Sequence, residues 1–516
     1  MLALAAAGCD EETRTIVDPG GRPGDRPDEE VADNLQASPQ FPNIFLPAGF
    51  RIEKVVEGLT FPTALTFDAQ GRMFVAEAGG AFLEEPAPAR IMRIENGTAT
   101  QLVNLEPFVG ASVVGLTFHN GAFFISHRNP QDRTGAVSRV TMDGQVTQIL
   151  TGVEDSQAEH QVNDIKVGPD GRMFLATGPA GNAAVVGLDL APFVALSPNL
   201  RTTPCQDIVL NGVNYRTPDF RSRDDASDVT ETGAFVPFGT ATTPGQRIAG
   251  TKKCGGSILV FDPNNAEATV RPFVSGLRNA IGLAFRGNEM FVTVNGYDVR
   301  GSRPFNDNFD PTYRVVEGRF YGYPDFSRGT FELISDPKFD VPNSLQAPQF
   351  INGQPQGKDP QLPVIDLAAS GLQRPDPSLV AALHPINSSP SGIDASPASF
   401  GSFGDQLFIA EWGDLAPPTT PLRNLPVGSR IVRINPGSDR PEAFVRNRMR
   451  GPASEQGAAG MALERPYYVK FGPDGAMFIV DYGVSRPKRV DAGPGDEQYE
   501  FVPRTGVIWK VSRSGS

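Results

Sequence analysis

The sequence predicts an all-β fold, and three observations lead there. Gly (55) and Pro (47) are abundant among 516 residues, and only 20% of the chain is charged, which favours short strands and turns over long helices. One strand–turn–strand phrase returns six times. A lone strand pattern stands ahead of the first copy, while the last copy lacks its final strand. Together these specify a six-bladed β-propeller with long inserts in blades three and four, closed by an N-terminal strand.

The first two copies are "TALTFDAQGRMFVAEAG" (63–79) and "VVGLTFHNGAFFISHR" (113–128). Next come "NDIKVGPDGRMFLATG" (163–178) and "AIGLAFRGNEMFVTVNG" (280–296). The last are "SGIDASPASFGSFGDQLFIAEWG" (391–413) and "YYVKFGPDGAMFIVDYG" (467–483). Apolar and small or polar residues alternate across a tight turn, as in hairpin strands. Asp-Gly and Asn-Gly supply the positive φ angles that short hairpins need. The aligned aromatics are Phe74, Phe124, Phe174, Phe291, Phe408 and Phe478. A third strand follows each copy, as in "RIMRIENG", and several add a fourth, as in "VTQILTG".

The sixth copy ends at "VIWKVSRSGS" with no room for a fourth strand, and "FRIEKVVEG" (50–58) has no partner of its own. Pairing 50–58 with 506–512 removes two raw sheet edges. The aligned aromatics are far apart after Phe174 and Phe291, which places large inserts near 179–252 and 319–390. Loops that long are usually functional. The propeller is expected over 46–516.

The N-terminal side suggests an address. "MLALAAAGC" resembles a bacterial lipobox, which makes residues 1–9 a truncated signal segment with Cys9 lipidated. Residues 10–45, acidic and rich in Pro and Gly, are expected to be a disordered tether. This implies a periplasmic or cell-envelope lipoprotein, with the membrane touched only through the lipid. Cys205 and Cys254 remain as a pair. In an oxidising compartment they are expected to form a disulfide worth roughly 4 kcal/mol in the chain-entropy model. No apolar run of 18 residues is present, so nothing is expected to span a bilayer. The net charge of −13 argues against nucleic acid and against docking on an anionic membrane surface.

Residues just ahead of each innermost strand converge on one end of a propeller's channel. Here they are Thr60/Phe61, Ala111/Ser112, His160/Gln161, Arg278/Asn279, Ser388/Ser389 and Glu464/Arg465. A neutral imidazole accepts a proton from an alcohol near pH 7. Arginine suits bidentate carboxylate recognition. One histidine facing two arginines describes a pocket for an acidic cofactor beside a hydroxylated substrate. The alternative for each is a rim residue bonded to a backbone carbonyl.

At these residues a family resemblance enters. "SGLRNAIGLAF" resembles the start of the fourth blade in pyrroloquinoline-quinone (PQQ)-dependent glucose/sorbosone dehydrogenases. "EHQVNDIKVGPDGRMF" resembles their third-blade segment, and "GRFYGYPDF" their Tyr-Gly-Trp-Pro signature, with Tyr323 in the Trp place. "LPAGFRIEKVVEGLTFPTALTF" is similar to their first strand and blade. The resemblance runs from about residue 46 to the end and is nearer the sorbosone-dehydrogenase-like branch. It implies oxidation of a sugar or polyol hydroxyl or aldehyde, with His160 as general base and hydride passing to the quinone. It implies Arg278, Asn279, Arg465 and Gln161 as cofactor-binding residues. It also implies calcium near "NGYDVRGSRPFNDNFD", where Asn295, Asp298, Asn306, Asp307 and Asp310 offer oxygen donors.

Three family positions differ. A glutamine before the second inner strand falls at Gly110 or a neighbour, a lysine is lost within "AEWGDLAPP", and a second arginine is Tyr467. "SHRNPQ" (126–131) echoes the family's His-Arg-Asn-Pro string but falls after a second strand, so its side chains are expected elsewhere. "GQRIAGTK" has Thr251 where a phosphate loop needs lysine. GxSxG, HExxH and CxxCH are absent. Electrons therefore go to an external acceptor, a quinone or cytochrome. Two other functions stay open: a non-catalytic propeller binding glycans or proteins, and a calcium-dependent lactonase.

Overall fold

The computed structural model describes residues 34–514 except 84–85, 223–227, 416–425, 436–437, 439 and 488–498. Cys9 and the start of the expected tether lie outside the described residues. The fold is all-β, with antiparallel sheets and few, short helices. No helix among the described residues is long and apolar enough to cross a membrane.

Six sheets repeat one plan. The first contains Pro62–Phe67, Met73–Glu77, Arg90–Glu95 and Thr98–Asn104. The second runs Leu116–His119, Ala122–Arg128, Gly135–Thr141 and Val146–Val153. The third has Val162–Val167, Met173–Thr177, Ser257–Phe261 and Arg271–Val274. The fourth has Asn279–Arg286, Glu289–Asn295, Asp310–Val315 and Val380–His384. The fifth has Pro390–Ala395, Leu407–Glu411, Arg430–Ile434 and Glu442–Asn447. The sixth joins Pro466–Phe471, Met477–Asp481 and Gly506–Arg513 to Phe50–Leu59.

That last pairing runs from Phe50 opposite Arg513 to Leu59 opposite Gly506, so the N-terminal strand completes the C-terminal sheet. The innermost strands pack side by side in a closed order, with the sixth sheet's against the first's. Their backbones come close where glycine permits it. A Cβ on Gly282 would lie 2.2 Å from the Ser391 carbonyl oxygen, and one on Gly392 would lie 2.3 Å from the Tyr468 ring. Between the sheets sit apolar clusters, such as Phe74, Phe123 and Ile125 between the first two.

Two expectations are corrected here. Residues 35–45 are not all tether: Leu35–Ala37 and Ile44–Pro47 add two strands to the fifth sheet, through Ile44 opposite Asn447. Ile44 and Leu46 are buried there among the aromatics of the fifth and sixth sheets, which rewards ordering this segment. The stretch 380–384, expected within the second insert, is instead the fourth strand of the fourth sheet and ends at His384.

The segments 179–252 and 319–379 fold against each other. Val213–Pro218 from the first pairs with Gln349–Ile351 from the second, over a core containing Tyr215, Phe235, Tyr323 and Ile365. Tyr323 supplies a polar link: its hydroxyl donates to the Gly181 carbonyl at 3.0 Å and accepts from Ala184 N at 2.6 Å. Cys205 and Cys254 form a disulfide with Cα atoms 5.0 Å apart, within the reach of an ordinary bridge.

Candidate functional site

A cavity of about 210 Å³ opens where the innermost strands begin. Alternation decides which residues face it. Ser112 and Val114, Gln161 and Asn163, Asn279 and Ile281, and Ser389 and Ser391 are pairs two residues apart in sequence that line it. The first and sixth sheets contribute Thr63 and Tyr467, each two residues beyond the position expected from sequence.

Of the expected residues, His160, Gln161, Arg278 and Asn279 come together on one wall. His160 is buried, and its Nδ1 lies 2.8 Å from the Pro179 carbonyl oxygen. A carbonyl only accepts, so Nδ1 carries the proton and the neutral ring keeps its lone pair on Nε2. Nε2 has no protein partner among the described residues. Burial pushes the His160 pKa well below 6.5, and Arg278 and Arg300 push it the same way. Close packing fixes the ring's base: a Cβ on Gly178 would lie 2.5 Å from the His160 Cβ.

Arg278 donates through Nη2 to Asp298 at 2.8 Å and to Asn182 Oδ1 at 3.0 Å, while its buried Nε has no partner. Arg300 bridges Glu159 at 2.7 Å, Asp189 at 2.9 Å and Asp298 at 2.9 Å. Burial raises Glu159 and Asp189 despite Arg300. Burial also opposes the ionised form of Asp298, but the two guanidiniums win and hold its pKa below the usual range. Asn279 accepts from Asn163 at 3.1 Å, leaving its own Nδ2 without a protein partner among the described residues. Gln161 donates to the Ser112 carbonyl at 3.3 Å, and its Oε1 is buried without a partner.

Arg465 does not line the cavity. It is sealed behind Trp412, 4.7 Å from the ring, with its donors on the carbonyls of Asp414 (2.7 Å), Ser485 (3.2 Å) and Trp412 (3.4 Å). Repeat phase placed its backbone, but the residue two further on, Tyr467, faces the cavity instead. Among the expected oxygen donors, Asn295, Asp298 and Asp310 line the cavity; Asn306 and Asp307 do not. Asp310 accepts from Gly296 N at 2.6 Å and Ser389 N at 2.9 Å, and burial pushes its pKa up to about 7. Asn295 Oδ1 is buried without a partner. Among the described residues no group of three or more His, Cys, Asp or Glu is arranged to hold a metal.

Sequence reasoning missed two features. Arg128, set aside as part of a misplaced string, lines the cavity. It braces the wall through the carbonyls of Ser156 (2.7 Å), Ala158 (2.7 Å) and Ala111 (3.2 Å). String identity was the signal that could have found it. The Arg300 cluster was also missed, because it joins a loop to the 179–252 segment. The remaining histidines stay out of the site. His127 is sealed against Ser138 and its own neighbour's carbonyl, with burial pushing its pKa down to about 4. His384 bonds Glu411 and Thr312, both at 2.8 Å, but the trio is buried within sheets and away from the cavity.

PQQ is a planar quinone with three carboxylates. Trp412, Tyr467 and Tyr482 give the cavity aromatic surface for a flat ring. Its charged lining is Arg128 and Arg278 against Glu159, Asp298, Asp310 and Asp414, which leaves no surplus of positive charge. Asn295 Oδ1 is an orphaned oxygen on the same lining, while Asp298 and Asp310 spend their oxygens on Arg278, Arg300, Asn387 and the N–H groups of Gly296 and Ser389. By itself this lining suits three carboxylates poorly, and a bound cation would supply the missing positive charge.

No protein-family model matches this chain. No curated protein matches it either. Solved structures do. An iodide structure of a Trichoderma reesei Carbohydrate-Active Enzymes Family AA12 protein is 14% identical, covering 93% of this chain and 100% of that one, with a TM-score of 0.53. Its calcium structure is 15% identical over 94% and 100%, with a TM-score of 0.51. The holo PQQ domain of a Coprinopsis cinerea pyranose dehydrogenase is 14% identical over 93% and 98%, with a TM-score of 0.50. At these identities the likeness is one of fold.

Proposed function

We propose that the chain is a six-bladed β-propeller oxidising a sugar or polyol hydroxyl or aldehyde at the His160 cavity, with PQQ as oxidant and calcium beside it. Six sheets of one plan in a closed order support the blade count, with the 179–252 and 319–379 segments as inserts of blades three and four. The carrying observation is the state of His160: buried, neutral, and with Nε2 open on the cavity wall.

His160 Nε2 takes the substrate's hydroxyl proton as general base. The Pro179 carbonyl, already bonded to Nδ1–H, steadies the positive charge that then develops on the ring. Arg278, Asn279 and Gln161 would hold the cofactor's polar edge, and Asn295, Asp298 and Asp310 would lie on the side of the cavity that faces the cation. Bound there, PQQ would supply the two-electron acceptor. The aromatic wall keeps water from the reacting groups. With no haem motif in the chain, the electrons pass on to an external quinone or cytochrome. The disulfide supports a location outside the cytoplasm, with Cys9 as lipid anchor.

A second reading, glycan binding without chemistry, draws support from the sealed Arg465 and the lack of surplus positive charge. The test loads purified protein with calcium and PQQ and measures dye reduction over a panel of aldoses and polyols. Sugar-dependent dye reduction supports the dehydrogenase. No reduction, with glycan binding that survives His160→Ala, replaces it with the second reading.

A further inference from the structure

The base in this site lacks the side-chain carboxylate that usually orients a catalytic histidine. Its Nδ1 partner is a backbone carbonyl, Pro179 O. That carbonyl shares one peptide unit with Ala180 N–H, and Ala180 N donates to Asp155 Oδ1 at 2.9 Å. A peptide unit is planar and stiff, so holding one end aims the other. We propose that Asp155 is a positioning residue for His160, acting through the Pro179–Ala180 peptide as a carboxylate–peptide–imidazole relay. The proposal rests on His160 being the base.

Asp155 is fully buried in the short turn Glu154–Gln157, five residues before His160. Among the described residues no cation pairs with it. Its other donors are Thr203 N, at 3.2 Å from each oxygen, and the Thr203 hydroxyl. Thr203 Oγ1 in turn accepts from Gly255 N at 3.3 Å, next to the Cys205–Cys254 bridge. A carboxylate on the N–H end also polarises the peptide, which strengthens its carbonyl as an acceptor for Nδ1–H. That matters most when the ring becomes positive. Burial pushes the Asp155 pKa up to about 7, against the hydrogen bonds from Thr203 and Ala180.

The experiment is ¹⁵N spectroscopy of histidine-labelled full-length protein, whose four histidines are few enough to resolve. His160→Gln identifies the His160 signals. In the wild type they should report a single neutral Nδ1–H tautomer at pH 7. Asp155→Ala should convert them to a mixture of tautomers, and Asp155→Asn, which keeps an oxygen for Ala180 N–H, should give a smaller change. In the calcium- and PQQ-loaded enzyme Asp155→Ala should lower kcat about tenfold with KM little changed, the order expected for an outer partner of a functional histidine. Thr203→Val removes a donor to the same carboxylate and should leave the tautomer alone. If Asp155→Ala does not fold, Asp155→Asn and Thr203→Val decide. An unchanged tautomer in the Asp155 variants, or an equal change in Thr203→Val, overturns the relay. Full activity in His160→Ala removes the base while leaving the tautomer result to stand by itself.

Discussion

The third and sixth sheets carry the same phrase, Gly-Pro-Asp-Gly turn included, yet they present opposite things to the cavity. Ahead of the third, His160 sits on the cavity wall with Nε2 open. Ahead of the sixth, Arg465 is walled off by Trp412 and spends its donors on backbone carbonyls. Repeat phase sets where a backbone begins its strand. Which side chain reaches the cavity is then decided by alternation and by what the neighbouring loop lays on top. The same position carries a cavity-lining imidazole in one sheet and a sealed brace in another.

The largest effect should fall on the open side. His160→Ala should lower turnover by roughly 10²–10⁴-fold, the range for losing a general base, while calcium-dependent PQQ binding stays near wild type in a fluorescence titration. Arg278→Ala should come next. Losing a charge-assisted donor costs about 1.5–3 kcal/mol, so the PQQ dissociation constant should rise roughly tenfold to a hundredfold. Calcium should matter in the same titration: chelating it should weaken PQQ binding, because the lining has no surplus positive charge for three carboxylates.

On the sealed side the expected effects are structural. Cys205→Ser with Cys254→Ser should lower stability by up to about 4 kcal/mol in denaturant unfolding, with the 179–252 segment loosened first. Arg465→Ala should be the mildest for ligand binding, moving PQQ affinity by less than about twofold, while thermal stability falls because three carbonyls lose a donor. A large loss of PQQ affinity in Arg465→Ala would erase the contrast between the two walls.

Much of the fold was legible because hairpins are local. Asp-Gly turns, alternating strands and aligned phenylalanines mark the six inner hairpins, and the unpaired 50–58 pattern found its partner at the other end of the chain. The strands at 35–37 and 44–47 were not legible, since their reward is burial against aromatics hundreds of residues away. His160 and Arg278 could be placed because they stand next to their strands. Arg128 could not, since its long side chain reaches from the end of a second strand to the loop before His160. Asp189 and Arg300 meet only because the 179–252 segment folds back over the fourth sheet's loop. Asp155 looked like one acidic residue among many until the chain brought Ala180 and Thr203 to it.

The central claim is that His160 works as a neutral base, held so by burial and by the cations behind it. A base must be unprotonated to act, so a depressed pKa extends activity toward acid, and turnover is lost only once pH falls through that low value. The direct measurement is kcat against pH at saturating calcium, PQQ and sugar, for wild type and Arg278→Ala. The wild-type acid limb should lie well below the ordinary imidazole value of 6.5, and in Arg278→Ala it should move upward as one neighbouring cation is removed. A wild-type limb at or above 6.5, or one that does not move in Arg278→Ala, would contradict the account.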